Sequence, residues 1–275
     1  MATTHTVHHF AFVAGAAEPE ARFHEQILGL ETIQRAAVSA RGREAAQLSF
    51  GASADSARGF LKVTCLGGDG PHGRLGSNGP KTANLSVPPQ ALDYWQDRLH
   101  DAHVESQRTS RLGTHRLEFL DPSGVPYALV EDEAEWGGTT SPRLPLEYAI
   151  RGLHSVTISL MDVRETHDFL VDLLAAAHVT QDLAWGLYEF APGGPGNRIE
   201  LLHEPYRAPG TWAYAVGAPH HIGLDTGSQA QRRMLCERLL EAGYPDISGG
   251  AENGTPGPVW VRAAGGTLLE LLTGA

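Results

Sequence analysis

Apolar and polar positions along this chain follow one another in the same order four times. Each round opens on a run of strand character, continues into a stretch of helical period, and closes on further segments that alternate like strands. The opening runs lie at Val7 to Phe12, around Thr82, around Ser155, and at Pro219 to Leu224. The helical stretches lie near Glu18 to Leu28, Pro89 to His100, Val163 to Ala176 and Ser228 to Ala242. Leu92, Trp95 and Leu99 mark the apolar stripe of the second, and Phe169, Leu170, Leu173 and Leu174 that of the third. Gly29 and Gly243 stand where a helix would end. Strand-like segments follow at Ala45 to Phe50, His115 to Phe119, Leu187 to Phe190 and Val259 to Arg262. Turns rich in glycine then lead to last strands at Phe60 to Leu66, Tyr127 to Val130, Arg198 to Leu202 and Thr267 to Leu272. The predicted unit is βαβββ.

Aligned on their opening strands, the four units place His9, Thr82, Ser155 and His221 at matching positions, at near-equal intervals. Aligned on the residue four after a turn glycine, the last strands match Val63, Ala128, Glu200 and Glu270. The first and fourth units thus hold His9, His221 and Glu270, while the middle two hold no comparable set. Glu270 interrupts an otherwise apolar strand, and a lone carboxylate there is costly to bury unless paired or metal-bound. Two His and one carboxylate, each on a strand, make a metal site with positions left open for other ligands. Val63, being apolar, is expected to leave the ion open on its side. Strand neighbours point to opposite faces, so one His of each pair, His8-His9 and His220-His221, aims at the ion while the other leans away or sits beside it.

Composition narrows the classes. The 275 residues suffice for two domains, and 41% hydrophobic content fills a core. A net charge of −11 argues against nucleic acid, because phosphate contacts need clustered Lys and Arg. No apolar run approaches a membrane span, and the first residues show no signal-type segment, so a cytoplasmic protein without a membrane partner is expected. Cys65 and Cys236 are too few for a disulfide framework or a thiolate metal site. A linker rich in Gly, Thr, Ser and Pro spans Glu133 to Leu146. It divides the chain into residues 1–140, with the first two modules, and residues 149–275, with the last two. The first and fourth modules are expected to share the metal site. A homo-oligomer is compatible with all of this.

The repeat, with its ligands on first and last strands, resembles the vicinal oxygen chelate superfamily of glyoxalase I and the extradiol dioxygenases. Within it, the chain most resembles the hydroquinone-type ring-cleaving dioxygenases. The shared strings are Val7-His8-His9, Phe119 to Val125, Ile150 to Thr157, Pro219 to Ile222 and Gly266 to Glu270. The resemblance implies an α+β fold of four βαβββ modules in two cup-shaped half-barrels. It implies Fe(II), with Mn or Zn as other candidates, on His9, His221 and Glu270. It places catalytic His residues beside the ion at His8 and His220, able to bond a substrate hydroxyl or move its proton. The implied reaction is cleavage of a dihydroxylated aromatic ring, hydroquinone or catechol, by O2. A glyoxalase-like isomerase or lyase and a non-enzymatic binder of small aromatics are the rival readings.

The chain also departs from that family's pattern. Ala11 stands where a Thr is usual, and counting back from Glu270 puts Asn253 and Trp260 at the substrate-contacting places of an Arg and a Tyr. Loss of the Arg charge leads to the expectation of a less acidic, more apolar or bulkier ring.

Overall fold

The computed structural model describes residues 5–40, 42–53, 59–68, 70–134, 139–211, 214–248 and 257–274. Asn253 lies outside them. Four modules follow in sequence. The first comprises β1 (Thr6–Ala14), α1 (Ala17–Arg22, continued by a π-helical turn over Phe23–Ile27), β2 (Glu31–Ala40), β3 (Arg43–Gly51) and β4 (Leu61–Cys65). The second comprises β5 (Gly79–Val87), α2 (Leu92–Asp101), β6 (Ser106–Arg111), β7 (Thr114–Leu120) and β8 (Pro126–Glu131). The third comprises β9 (Gly152–Leu160), α3 (Arg164–Asp168, with a π-helical turn over Phe169–Leu173), β10 (Ala177–Asp182), β11 (Trp185–Glu189) and β12 (Arg198–His203). The fourth comprises β13 (Ala218–Asp225), α4 (Gln229–Glu241), β14 (Val259–Arg262) and β15 (Leu268–Leu272). Its second strand is reduced, among the described residues, to a bridge between Asp246 and Val261.

The strands form two mixed sheets, in the orders β14-β15-β13-β1-β4-β3-β2 and β10-β11-β12-β9-β5-β8-β7-β6. The first and fourth modules thus build one sheet and the second and third the other. Both sheets draw on both sides of the 133–146 linker. Inside each module the first and last strands run parallel, as a helical crossover requires. Between modules the first strands meet antiparallel, β1 on β13 and β5 on β9.

The core lies between sheets and helices. Phe10, Phe12, Phe50, Leu61, Ile222 and Leu224 are fully or almost fully buried around β1 and β13. Trp95 of α2 is buried, and its indole N–H donates to the Tyr148 carbonyl at 2.8 Å, so burial leaves no orphaned donor. Cys65 and Cys236 are free thiols. No described helix is long and apolar enough to cross a membrane.

Candidate metal centre

His9 on β1, His221 on β13 and Glu270 on β15 converge inside the first cup. They are 0%, 5% and 4% exposed. His9 Nε2 lies 3.0 Å from His221 Nε2, and each Nε2 lies 3.1 Å from Glu270 Oε2. The three atoms form a nearly equilateral triangle. Imidazole protons cannot bridge all three edges: with only one Nε2 protonated, the other Nε2 and Glu270 Oε2 still face each other as lone pairs at 3.1 Å. If each ring puts its proton on Nδ1, three lone pairs face one another in a buried space. If each puts it on Nε2, two N–H groups collide at 3.0 Å. A divalent cation satisfies all three atoms at once. Right-angle ligands at bond lengths of about 2.1–2.2 Å lie about 3.0–3.1 Å apart, whereas tetrahedral ones would stand about 3.5 Å apart. The triangle therefore fits one face of an octahedral ion, with the opposite face left for other ligands.

Local backbone geometry makes the convergence possible. His9 pairs with Gly223 and His221 with Ala11 across the β1/β13 ladder. Each imidazole thus lies over a small residue of the other strand. A Cβ on Gly223 would stand 2.3 Å from His9 Nδ1 and Cε1, so only glycine leaves room for the ring. The β1/β13 register also slips between Val7 and His9 and again between Ala11 and Phe12, the second slip passing over His220. His8 and His220 thus occupy β-bulges, which re-aim side chains. The alternation rule would turn their rings away. Instead His8 Nδ1 meets His9 Nδ1 at 2.9 Å, and His220 Nδ1 meets His221 Nδ1 at 2.8 Å. Such a contact fixes the tautomer of a ligating His. A proton on Nδ1 of His9 or His221 is donated to the neighbouring ring and leaves Nε2 a bare donor for a metal. The His220 ring also stacks on Tyr214, with centroids 4.2 Å apart.

Electrostatics favour the same protonation state. Burial depresses the His9 and His220 imidazoles, each to about 3, and lowers His221 as well. Burial alone would push the Glu270 carboxyl up. The His221 and His9 rings packed against its oxygen and the charge of Lys62 outweigh it and hold the group well below the usual carboxylate range. Two neutral imidazoles and one carboxylate are what a divalent ion binds.

Lys62 is the residue that sequence reasoning missed. Its ammonium donates to Glu270 Oε2 at 3.1 Å. The alignment that matched Val63 to Glu270 is off by one. Glu270 pairs with Gly223, two residues after His221, and the residue pairing with Ala11, two after His9, is Lys62. A one-residue slip sends a side chain to the other face. Val63 accordingly lies buried in the core and not beside the candidate ligands. Counting from a turn glycine could not reveal this, because the turns differ in length. Trp260 pairs with Glu270 across β14 and β15, and its ring meets His221 edge-on at 4.7 Å.

The second cup holds the matching positions in another form. Glu200 pairs with Thr157, as Glu270 pairs with Gly223. Its carboxylate accepts two bonds from the Arg116 guanidinium, at 2.8 and 3.0 Å, and one from Ser155 at 2.6 Å. A built-in cation thus neutralises the buried carboxylate there. His154 is likewise a structural group, bonded to Ser155 at 3.0 Å and to Arg198 at 2.9 Å.

Comparison with known proteins agrees with this architecture. No protein-family profile matches the chain. In structure it superposes on a provisionally named dioxygenase of Bacillus subtilis with a TM-score of 0.86, at 22% identity, covering 99% of this chain and 86% of that one. Glyoxalase I of Zea mays superposes with a TM-score of 0.71, at 13% identity, covering 98% and 92%. The chain has the vicinal oxygen chelate fold. In sequence it is 25% identical to a chlorohydroquinone/hydroquinone 1,2-dioxygenase of Sphingobium indicum over 268 residues, 96% of this chain and 84% of that protein. It is equally 25% identical to the provisionally named ring-cleaving dioxygenase MhqO of Bacillus subtilis, over 97% of this chain and 84% of that one. Both of these sequence relatives are named as dioxygenases, MhqO as a ring-cleaving one.

Proposed function

We propose that this protein is an iron(II)-dependent dioxygenase that opens the ring of a dihydroxylated aromatic of hydroquinone or catechol type. The converging triangle of His9, His221 and Glu270 carries the reading, since it suits a metal with one open face. The names of its sequence relatives support the reaction class. Iron held there would supply adjacent open positions for a substrate hydroxyl and for dioxygen, and would make that hydroxyl more acidic.

The chain's own residues do the rest. His8 and His220 hold His9 and His221 in the tautomer that presents Nε2, through the Nδ1 contacts. Kept neutral by burial, His220 can also accept a hydrogen bond from a substrate hydroxyl. Trp260 offers a flat apolar wall beside His221, against which an aromatic ring can stack. Lys62 argues against the glyoxalase-like alternative. The position matching Glu270 in the first module would be the place for a second carboxylate ligand, and a cation occupies it.

The test is oxygen uptake. The protein is purified without oxygen, loaded with Fe(II), assayed for metal content, and offered a panel of hydroquinones and catechols. The expected result is one O2 consumed per ring opened for at least one compound, and none in the His221→Ala and Glu270→Ala variants. A fully loaded protein that binds these aromatics and consumes no oxygen would instead be a binding protein, and the proposal would fail.

A further inference from the structure

Lys62 and Glu270 hold matching places in the first and fourth modules. Lys62 on β4 lies beside Ala11 on β1, and Glu270 on β15 lies beside Gly223 on β13. The repeat therefore sets a cation against a carboxylate across the centre of the cup. The ammonium donates to Oε2, the same carboxylate oxygen that faces both His Nε2 atoms.

A stability role explains little of this. The Lys62 side chain is 24% exposed against 6% for Glu270, and an ion pair open to water on one side contributes little. Its charge has more to do. It bears on His9, His221 and Glu270 together. Arg262, a second cation among the described residues, bears instead on His220 and gives a hydrogen bond to the Gly266 carbonyl at 2.9 Å. Two neutral imidazoles and one carboxylate bring a single negative charge to a metal, and Lys62 cancels it. A divalent ion at this site therefore keeps its full charge with an ammonium beside it. Both favour a ligand that binds as an anion.

We infer that Lys62 determines substrate specificity here, its ammonium pairing with the negative oxygen of a bound phenolate so that the site selects dihydroxylated aromatics that bind as anions. The inference rests on the metal-site reading above. Lys62 stands in for the fixed charge expected to be missing at Asn253. It turns the expected preference for a less acidic ring toward a more acidic one.

The experiment needs no turnover. Wild type, Lys62→Met and Lys62→Arg are loaded with Co(II) without oxygen, and Co(II) affinity is measured by chelator competition. Each is then titrated with 4-nitrophenolate, an anion, and with imidazole, a neutral ligand, following the visible bands of the metal. Lys62→Met is expected to weaken 4-nitrophenolate about 10-fold or more, the loss of one charged hydrogen bond, while imidazole stays within about twofold. Lys62→Arg keeps most of the anion affinity. Co(II) affinity does not fall in Lys62→Met, because removing a neighbouring cation cannot weaken a divalent ion through charge. Unchanged 4-nitrophenolate affinity in Lys62→Met overturns the inference. So does a fall in Co(II) affinity with anion binding intact, which would make Lys62 a holder of Glu270 alone. A wild type that binds no divalent ion refutes the metal-site reading, and this inference with it. A wild type that binds Co(II) but prefers the anion no more than Lys62→Met does refutes the inference alone.

Discussion

Gly223→Ala is the smallest change that should disable the site. Gly223 contributes no ligand, yet it lies directly across the ladder from His9. A methyl group there would stand 2.3 Å from two atoms of the His9 ring, where ordinary contact begins at 3.4 Å. The ring or the strand must therefore retreat by about 1.1 Å, the difference between those distances. Metal ligands tolerate departures of only about 0.2 Å. His9 Nε2 would leave the triangle, and a site with two ligands in place of three should bind a divalent ion at least about 100-fold more weakly. Overpacking a buried position costs about 1–3 kcal/mol, so the protein should still fold with a Tm lowered by several degrees. Chelator competition with Co(II) or Fe(II), alongside circular dichroism, separates the two effects. Gly68→Ala, at a glycine with nothing within 4 Å, is the control. Wild-type metal affinity in a folded Gly223→Ala protein would refute the reasoning, since it would mean that His9 is not where the ladder puts it or is not a ligand.

Three further outcomes follow from the geometry. His220→Ala should keep the three ligands but free the His221 tautomer, lowering metal affinity about 10-fold, whereas His221→Ala should abolish binding; equal losses in the two would show that the pair is misassigned. Arg116→Leu leaves buried Glu200 with only the more distant Arg111 guanidinium, at 3.5 Å, and should destabilise the protein by about 3 kcal/mol, with most of that recovered in the Arg116→Leu/Glu200→Gln double variant; a Tm unchanged in the single variant would show that the second cup does not depend on the Arg116–Glu200 pair. Glu20 is buried beneath Ser123, and burial pushes its carboxyl up from 4.5 to about 7. The folded state then holds a proton that the unfolded state has already released. Stability contributed by this group is complete below pH 4.5 and falls as pH rises to about 7. Thermal melts of Glu20→Gln should therefore match wild type near pH 4 and exceed it by roughly 3 kcal/mol at pH 8; a constant difference across that range would count against the shift.

How much of this was legible in sequence depends on the range of the interaction. The four helices lie where apolar spacing placed them, within a few residues, because a helix is decided by neighbours one turn away. The last strands also fall where alternation put them. The residue types of the centre were visible too, since a carboxylate in an apolar strand and two His pairs at repeat-related positions stand out without any coordinates. Local pattern, though, says nothing of how one strand is aligned on another.

Strand alignment is what the tertiary structure decided. The β1/β4 register puts Lys62, and not Val63, at the position matching Glu270, a difference of one residue that exchanges a core side chain for a charged one in the site. The bulges at His8 and His220 turn rings together that strict alternation would hold apart, and a bulge exists only relative to a partner strand. Gly223 became indispensable only when β13 was laid beside β1, bringing its bare Cα under a ring more than two hundred positions away in the chain. Arg116 likewise meets Glu200 only because β5 joins β9 across the second sheet. Sequence by itself determined the periodic elements and the chemical groups. Which groups share one buried space was settled by hydrogen-bond register between distant strands, where a shift of one residue reverses every side chain.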